Sequence, residues 1–300
     1  MNSWRLRKTA TPSQRLVIAL LGYNTYTKCY QTSICPVTDY GAEIWGSCKS
    51  AKYDPVFLKA IRVFLGVNKF TATLFLEGEM GWTPPEIRRK ICMLRYWNRL
   101  VRLDQNRLTY TLFLTDYNNG GYWCDSVRKI FEELELSEIY LAQAMCDIKL
   151  CEKALLKLYA DRWTGLIKTK PKLRTYCDFK TSFGVENYIK LNLLRPHRST
   201  LAQLRSGTLP LQIEVGRFLG KKLEERLCTL CQDSCVETEY HFLFHCSQYN
   251  DERNLFLNSL GINNTLGDQE KITLLLKDYT RALSKYVYRM FNKRQGILFM

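Results

Sequence analysis

The sequence predicts a mainly α-helical protein with one zinc-binding knuckle, and three observations carry that reading. Apolar residues recur at spacings of three and four along most of the chain, period-two alternation is scarce, and a C-x2-C-x9-H-x4-C pattern runs from Cys228 to Cys246. The first two are the marks of helices that bury one face. The third has the spacing at which a tight turn and a following element offer four ligands to one tetrahedral ion. With 300 residues, 46% of them hydrophobic and 24% charged, the composition is that of a globular chain of one large or two modest domains.

The elements can be read in order. Residues 53–65 form a short amphipathic stretch that Gly66 ends. Pro84 and Pro85 stand where a helix can begin, because a proline in the first turn gives up no hydrogen bond, and strong periodicity follows over 86–103. Asn118-Asn119-Gly120-Gly121 reads as a turn. Helical periodicity resumes over 126–136 and 137–167. In Lys168-Thr169-Lys170-Pro171-Lys172-Leu173-Arg174 a basic residue stands at every second position, and Pro171 opposes a helix, so an extended connection is expected. The expected organisation is a helical region over 1–167, a basic linker over 168–182, and a second helical domain over 183–300 with the knuckle at about 226–253. In that second domain, 183–194 reads as helix. Ser199 or Thr200 caps another that runs to residue 204, and 272–290 is the clearest terminal helix, with apolar positions at Ile272, Leu275, Leu276, Tyr279, Leu283, Tyr286 and Met290.

Two of the chain's three histidines and four of its twelve cysteines fall between Cys228 and Cys246. Cys228, Cys231, His241 and Cys246 are the favoured ligands for a structural zinc ion. His245, four residues from His241 and so on the same face of a helix, is an alternative, as is Cys235. The competing reading makes Phe242, Leu243 and Phe244 a core helix and the thiols ordinary buried cysteines. Four protein ligands leave no position for substrate, so such a site would hold structure and do no chemistry.

The formal net charge of +15 points to a polyanionic partner, nucleic acid first. Arg88, Arg95, Arg99 and Arg102 share one helical face, with Tyr96 and Trp97 beside them. They read either as a ridge that grips phosphates, with an aromatic to stack on a base, or as a solvated face. Lys168, Lys170, Lys172 and Arg174 add charge in the linker. Arg195, His197, Arg198 and Arg205 crowd another stretch, and Lys277, Arg281, Lys285, Arg289 and Lys293 step by four along the terminal helix. The knuckle itself is locally acidic, with Glu224, Glu225, Asp233, Glu237, Glu239, Asp251 and Glu252 set against Arg226 and Arg253, so it would repel phosphate rather than bind it.

Other classes find little support. The start of the chain, Met1 to Lys8, is not followed by an export core, and the apolar run 16–21 is too short for one or for a membrane span. The thiols are therefore expected to be reduced, in nucleus or cytoplasm, with no membrane partner. Tyr159-Ala160-Asp161-Arg162 lacks the second carboxylate that a two-metal polymerase site needs, and no phosphate-binding loop or nucleophile elbow is present. No catalytic residue is assigned, and the chain is not expected to be an enzyme.

Three segments carry a family resemblance: Pro36-Val37-Thr38-Asp39-Tyr40-Gly41-Ala42-Glu43-Ile44-Trp45-Gly46; Arg205 with Leu211 to Phe218, leading into Glu225-Arg226-Leu227-Cys228; and Glu237 to Cys246 followed by Tyr249 and Arg253. Together they resemble the C-terminal part of a non-LTR (LINE-type) retrotransposon reverse transcriptase, from the thumb into the downstream zinc-binding segment, most densely over 205–253. The resemblance implies a thumb-like N-terminal region and the ligand set Cys228, Cys231, His241 and Cys246. For the family it implies copying of element RNA at a nicked target. Nothing here resembles the paired-aspartate palm or the endonuclease, so the expected role is a non-catalytic segment that positions RNA or DNA. A zinc-stabilised protein-interaction scaffold, or a truncated remnant without a role, are the competing readings.

Overall fold

The computed structural model describes residues 21–262 and 266–298. The apolar run 16–21, apart from its last residue, lies outside them. Among the described residues the chain is mainly helical and contains no β-strand; extended pairing is limited to one isolated antiparallel bridge, Leu227 with Val236. The helices of seven or more residues are α1 (Tyr23–Cys29), α2 (Asp54–Leu65), α3 (Thr73–Met80), α4 (Pro85–Leu100), α5 (Leu108–Asn118), α6 (Tyr122–Glu133), α7 (Ile148–Ile167), α8 (Arg195–Arg205), α9 (Gln212–Phe218), α10 (Asn250–Ser259), α11 (Asp268–Asp278) and α12 (Thr280–Leu298). None is long and apolar enough to cross a membrane.

The chain divides into two compact units. The smaller holds 28–59 and 82–164; the larger holds the described residues before 28, together with 60–81 and those from 165 on. In the smaller unit α4 is the central element. Pro84 is its N-cap and Pro85 its first residue, as the sequence suggested, and its inward row of Ile87, Ile91, Leu94 and Trp97 is buried. Trp97 is fully buried, stacked on Tyr140 at 5.2 Å and edge-on to Phe113 and Phe131, with its Nε1 donating to Ala144 O at 2.9 Å. It is a core residue and no stacking platform, because its one polar atom is already satisfied inside. Asn98 beside it donates to Cys146 O at 2.7 Å and accepts from Cys146 N at 2.9 Å.

That clasp explains why 137–167 is not one helix. The single turn Ser137–Leu141 stops, Gln143 takes a positive φ of 45°, and α7 starts afresh where the Asp147 side chain accepts from the amides of Lys149 and Leu150. An aspartate that satisfies two of the four free amides of a first turn is a strong helix start.

In the larger unit α8 packs along α12, burying Leu201 and Leu204 on one side and Leu283, Val287 and Met290 on the other. Helix α8 begins at Arg195 with Pro196 in its first turn, so no serine or threonine caps it. Arg198 and Arg205 on α8 are buried. Arg198 donates to Phe64 O at 3.1 Å, and Arg205 clamps Glu79 at 2.8 and 3.0 Å and reaches Glu186 at 2.8 Å. Neither belongs to the surface charge that the sequence suggested. Gly81, at φ +59°, permits the adjoining turn: a Cβ there would lie 2.3 Å from Val185 N.

Three further expectations need correction. The stretch 168–182 is not extended: Pro171 opens a 3-10 turn, a helical turn covers Tyr176–Phe179, and Leu173 and Tyr176 are buried. Residues 183–194 form only the turn Asn187–Lys190, because Lys180 bonds Gly184 O at 2.6 Å and Glu186 at 2.5 Å and so gathers the chain into a loop. The terminal helix breaks at Tyr279, which divides α11 from α12.

Candidate metal centre

The centre is built around a hairpin-like turn in the larger unit. Cys228 N donates to Cys235 O at 2.8 Å and Glu237 N to Arg226 O at 3.0 Å, closing a loop on which Cys228 and Cys231 stand. Ser234, just before the closing Cys235, takes a φ of +48°. The N-terminal arm is seated on α9. Arg226 donates to Ile213 O and Lys221 O, each at 3.1 Å, and its stem fits because residue 216 is glycine; a Cβ there would meet Arg226 Cγ at 2.6 Å.

The second pair of ligands flanks a single π-helical turn, His241–His245. Thr238 Oγ1 accepts from His241 N at 3.1 Å, and Cys246 N donates to His241 O at 2.8 Å. The wide turn carries Phe242, Leu243 and Phe244 into the core while His241 and Cys246 face the two hairpin cysteines. Arg253 holds it from α10, donating to Leu243 O at 3.1 Å and Cys246 O at 2.6 Å.

The ligand atoms of Cys228, Cys231, His241 and Cys246 lie within 4.8 Å of one another. Cys228 Sγ and Cys246 Sγ are 3.9 Å apart, and Cys231 Sγ is 3.4 Å from His241 Nε2. Tetrahedral Zn–S and Zn–N bonds of about 2.3 and 2.0 Å place neighbouring ligand atoms about 3.5–3.8 Å apart, so these separations suit such an ion. His245 is outside the cluster, exposed, with Nε2 2.5 Å from Asp268 Oδ2, and Cys235 is exposed with its thiol 3.2 Å from Asp233 O. The four residues preferred from spacing are the four that converge.

Electrostatics favour a metal-ready imidazole and disfavour free thiolates. Burial, with His245 and Arg253 nearby, lowers the His241 pKa and so disfavours the charged ring. Burial raises Cys231 to about 11 and Cys246 to about 12. A divalent cation is what would let those sulfurs ionise inside the protein.

Three of the acidic groups around the centre are neutralised from a distance. Glu237 pairs with Arg294 of α12 at 2.5 and 3.0 Å, Glu239 with Arg174 at 2.6 Å, and Glu252 with Lys293 at 2.7 Å. A local count of charges misses this, since Arg294 and Lys293 lie 57 and 41 residues downstream of their partners and Arg174 lies 65 residues upstream of Glu239.

The candidate phosphate-binding cations divide in two. Arg88 pairs with Asp39 at 2.7 Å, Lys172 with Glu214 at 2.8 Å, and Arg174 with Glu239, all partly buried. Arg95 and Arg99 on α4 are exposed, as are Arg102 in the turn after its C-cap Val101, Lys168 and Lys170, Lys277 on α11, and Arg281, Lys285 and Arg289 on α12. Among the described residues no carboxylate forms an ion pair with any of these. Tyr159 to Arg162 lie on α7, where Tyr159 is buried and Arg162 pairs with Glu86.

Comparison with protein-family models, curated proteins and solved structures finds no match to the chain.

Proposed function

We propose that this chain is a non-catalytic nucleic-acid-binding segment of a non-LTR retrotransposon reverse-transcriptase protein, with a structural zinc ion at Cys228, Cys231, His241 and Cys246. The observation that carries the binding part is the exposure, with no acidic partner among the described residues, of Arg95 and Arg99 on α4 with Arg102 in the turn that follows it, and of Arg281, Lys285 and Arg289 along α12. Unpaired guanidinium and ammonium groups at helical spacing offer phosphates sequence-independent contacts that salt weakens. Three thiolates and an imidazole are a donor set that favours zinc, and four protein ligands leave no open position, so the ion's work is to hold the fold. The three segments quoted above support the family assignment.

Titration of labelled structured RNA and duplex DNA with zinc-loaded protein across a salt series tests the reading. Submicromolar affinity that falls steeply with salt supports it; weak binding insensitive to salt refutes it. A scaffold that docks another protein is the second reading, favoured by Leu108 and Leu112, which are 73% and 60% exposed one turn apart on α5. Capture of a protein partner that survives high salt would favour that reading.

A further inference from the structure

Phe70 and Phe218, both in the larger unit, are each 59% exposed. They are far apart in sequence yet meet edge to face, with ring centroids 6.0 Å apart and planes at 64°. Phe70 ends the turn after α2, where Asn68 Oδ1 accepts from its amide at 2.9 Å; Phe218 is the last residue of α9. Lys172 joins the two, donating from Nζ to Phe70 O at 3.0 Å while standing 5.8 Å from the Phe218 centroid. Lys69 lies 5.0 Å from the Phe70 ring and Arg217 lies 4.5 Å from the Phe218 ring. Against these three cations stands one carboxylate, Glu214, which bonds both Lys172 and Arg217.

Two half-exposed phenylalanines held in fixed contact give up burial that each would otherwise gain. Their cationic rim makes the patch a poor seat for an apolar protein surface, which would have to desolvate three charges. Unpaired nucleotides meet both demands at once: bases supply π faces for the rings and for Arg217, and phosphates supply an anion for Lys69. We propose that Phe70 and Phe218 form a stacking platform for bases of single-stranded nucleic acid, with Lys69 contacting the backbone, and Arg217, held by Glu214, and Lys172 fixing the two rings. This rests on the nucleic-acid reading above and adds to it a preference for unpaired strands.

The test is anisotropy titration of the zinc-loaded full chain with a short unpaired oligonucleotide, an abasic strand of equal length, and a duplex. Phe70→Leu/Phe218→Leu keeps apolar bulk at two exposed positions and removes both π faces. It should weaken binding to the unpaired strand roughly tenfold or more, since each base–aromatic stack is worth a several-fold change or greater. Binding to the abasic strand and the duplex, and the salt slope, should not change, and Phe70→Tyr/Phe218→Tyr should bind like the parent. If the leucine variant binds the unpaired strand as tightly as the parent while the parent binds duplex and strand with a steep salt dependence, the platform is overturned and the nucleic-acid reading stands. If the parent binds none of the three, both are overturned.

Discussion

Arg294 grips Glu237 with two hydrogen bonds, 2.5 and 3.0 Å, where both side chains are 1% exposed, and the same carboxylate lies 3.7 Å from Cys228 Sγ. The last helix thus anchors the arm that carries Cys228, a candidate metal ligand. Glu237 also accepts from Gln212 N at 2.7 Å, so α9, α12 and the knuckle share one buried carboxylate.

Replacing Arg294 with methionine would leave that carboxylate buried without a counter-ion. The expected cost is about 3–5 kcal/mol, the usual penalty for breaking one side of a buried pair. Arg294→Met/Glu237→Gln should recover most of it, because the charge goes with its partner. Equilibrium denaturation of the two variants beside the parent measures this.

Cys231→Ser removes one thiolate from the proposed zinc site, whose binding contributes on the order of 10 kcal/mol to local folding in comparable knuckles. Zinc content should fall, and limited proteolysis should open residues near 220–255 while the helices of the smaller unit stay protected. An unchanged cleavage pattern with full metal content would refute the ligand assignment.

Arg95→Gln/Arg99→Gln/Arg102→Gln should lower nucleic-acid affinity and reduce the slope of log affinity against log salt by roughly 2–3, since each phosphate contact contributes about 0.7–0.9. A slope equal to the parent's would make the row a solvated face.

Acid should loosen the larger unit through Glu186. Burial opposes its ionisation, but Arg205 and Lys180 overcome that and hold its carboxyl below the usual range. Its folded value is therefore below the unfolded one of about 4.3. The stability it contributes is present above the unfolded value and is lost as pH falls through the folded value. Glu186→Gln should flatten the decline in denaturation midpoint on the acid side of about pH 4.3.

The parts legible in the sequence were those set by local chemistry. Pro84 and Pro85 marked the start of α4 because a first-turn proline gives up no hydrogen bond, and the Cys–His spacing picked out the four residues that converge. The errors came where a distant group decides the backbone. Periodicity carried 137–167 as one helix, whereas the Asn98–Cys146 clasp and the Asp147 cap divide it; only Asp147 left a readable signal. Lys180 and Glu186 turned an expected helix over 183–194 into a loop. Arg198 and Arg205 look like surface charge in the sequence, since their partners Phe64 and Glu79 lie more than 100 residues away. The pairing of Phe70 with Phe218 has no local signature, because neither neighbourhood alone reveals that the rings meet.

The separation of Arg294 from Glu237 by 57 residues gives the knuckle a history as well as a shape. At about 5–20 residues per second of synthesis, Glu237 is made roughly 3–11 s before the guanidinium that neutralises it. In that interval the carboxylate keeps its water, and the ligand loop can close on an ion without yet being buried. If the four residues hold an ion, α12 with its Arg294 is then the last part of the chain to reach the buried carboxylate beside Cys228.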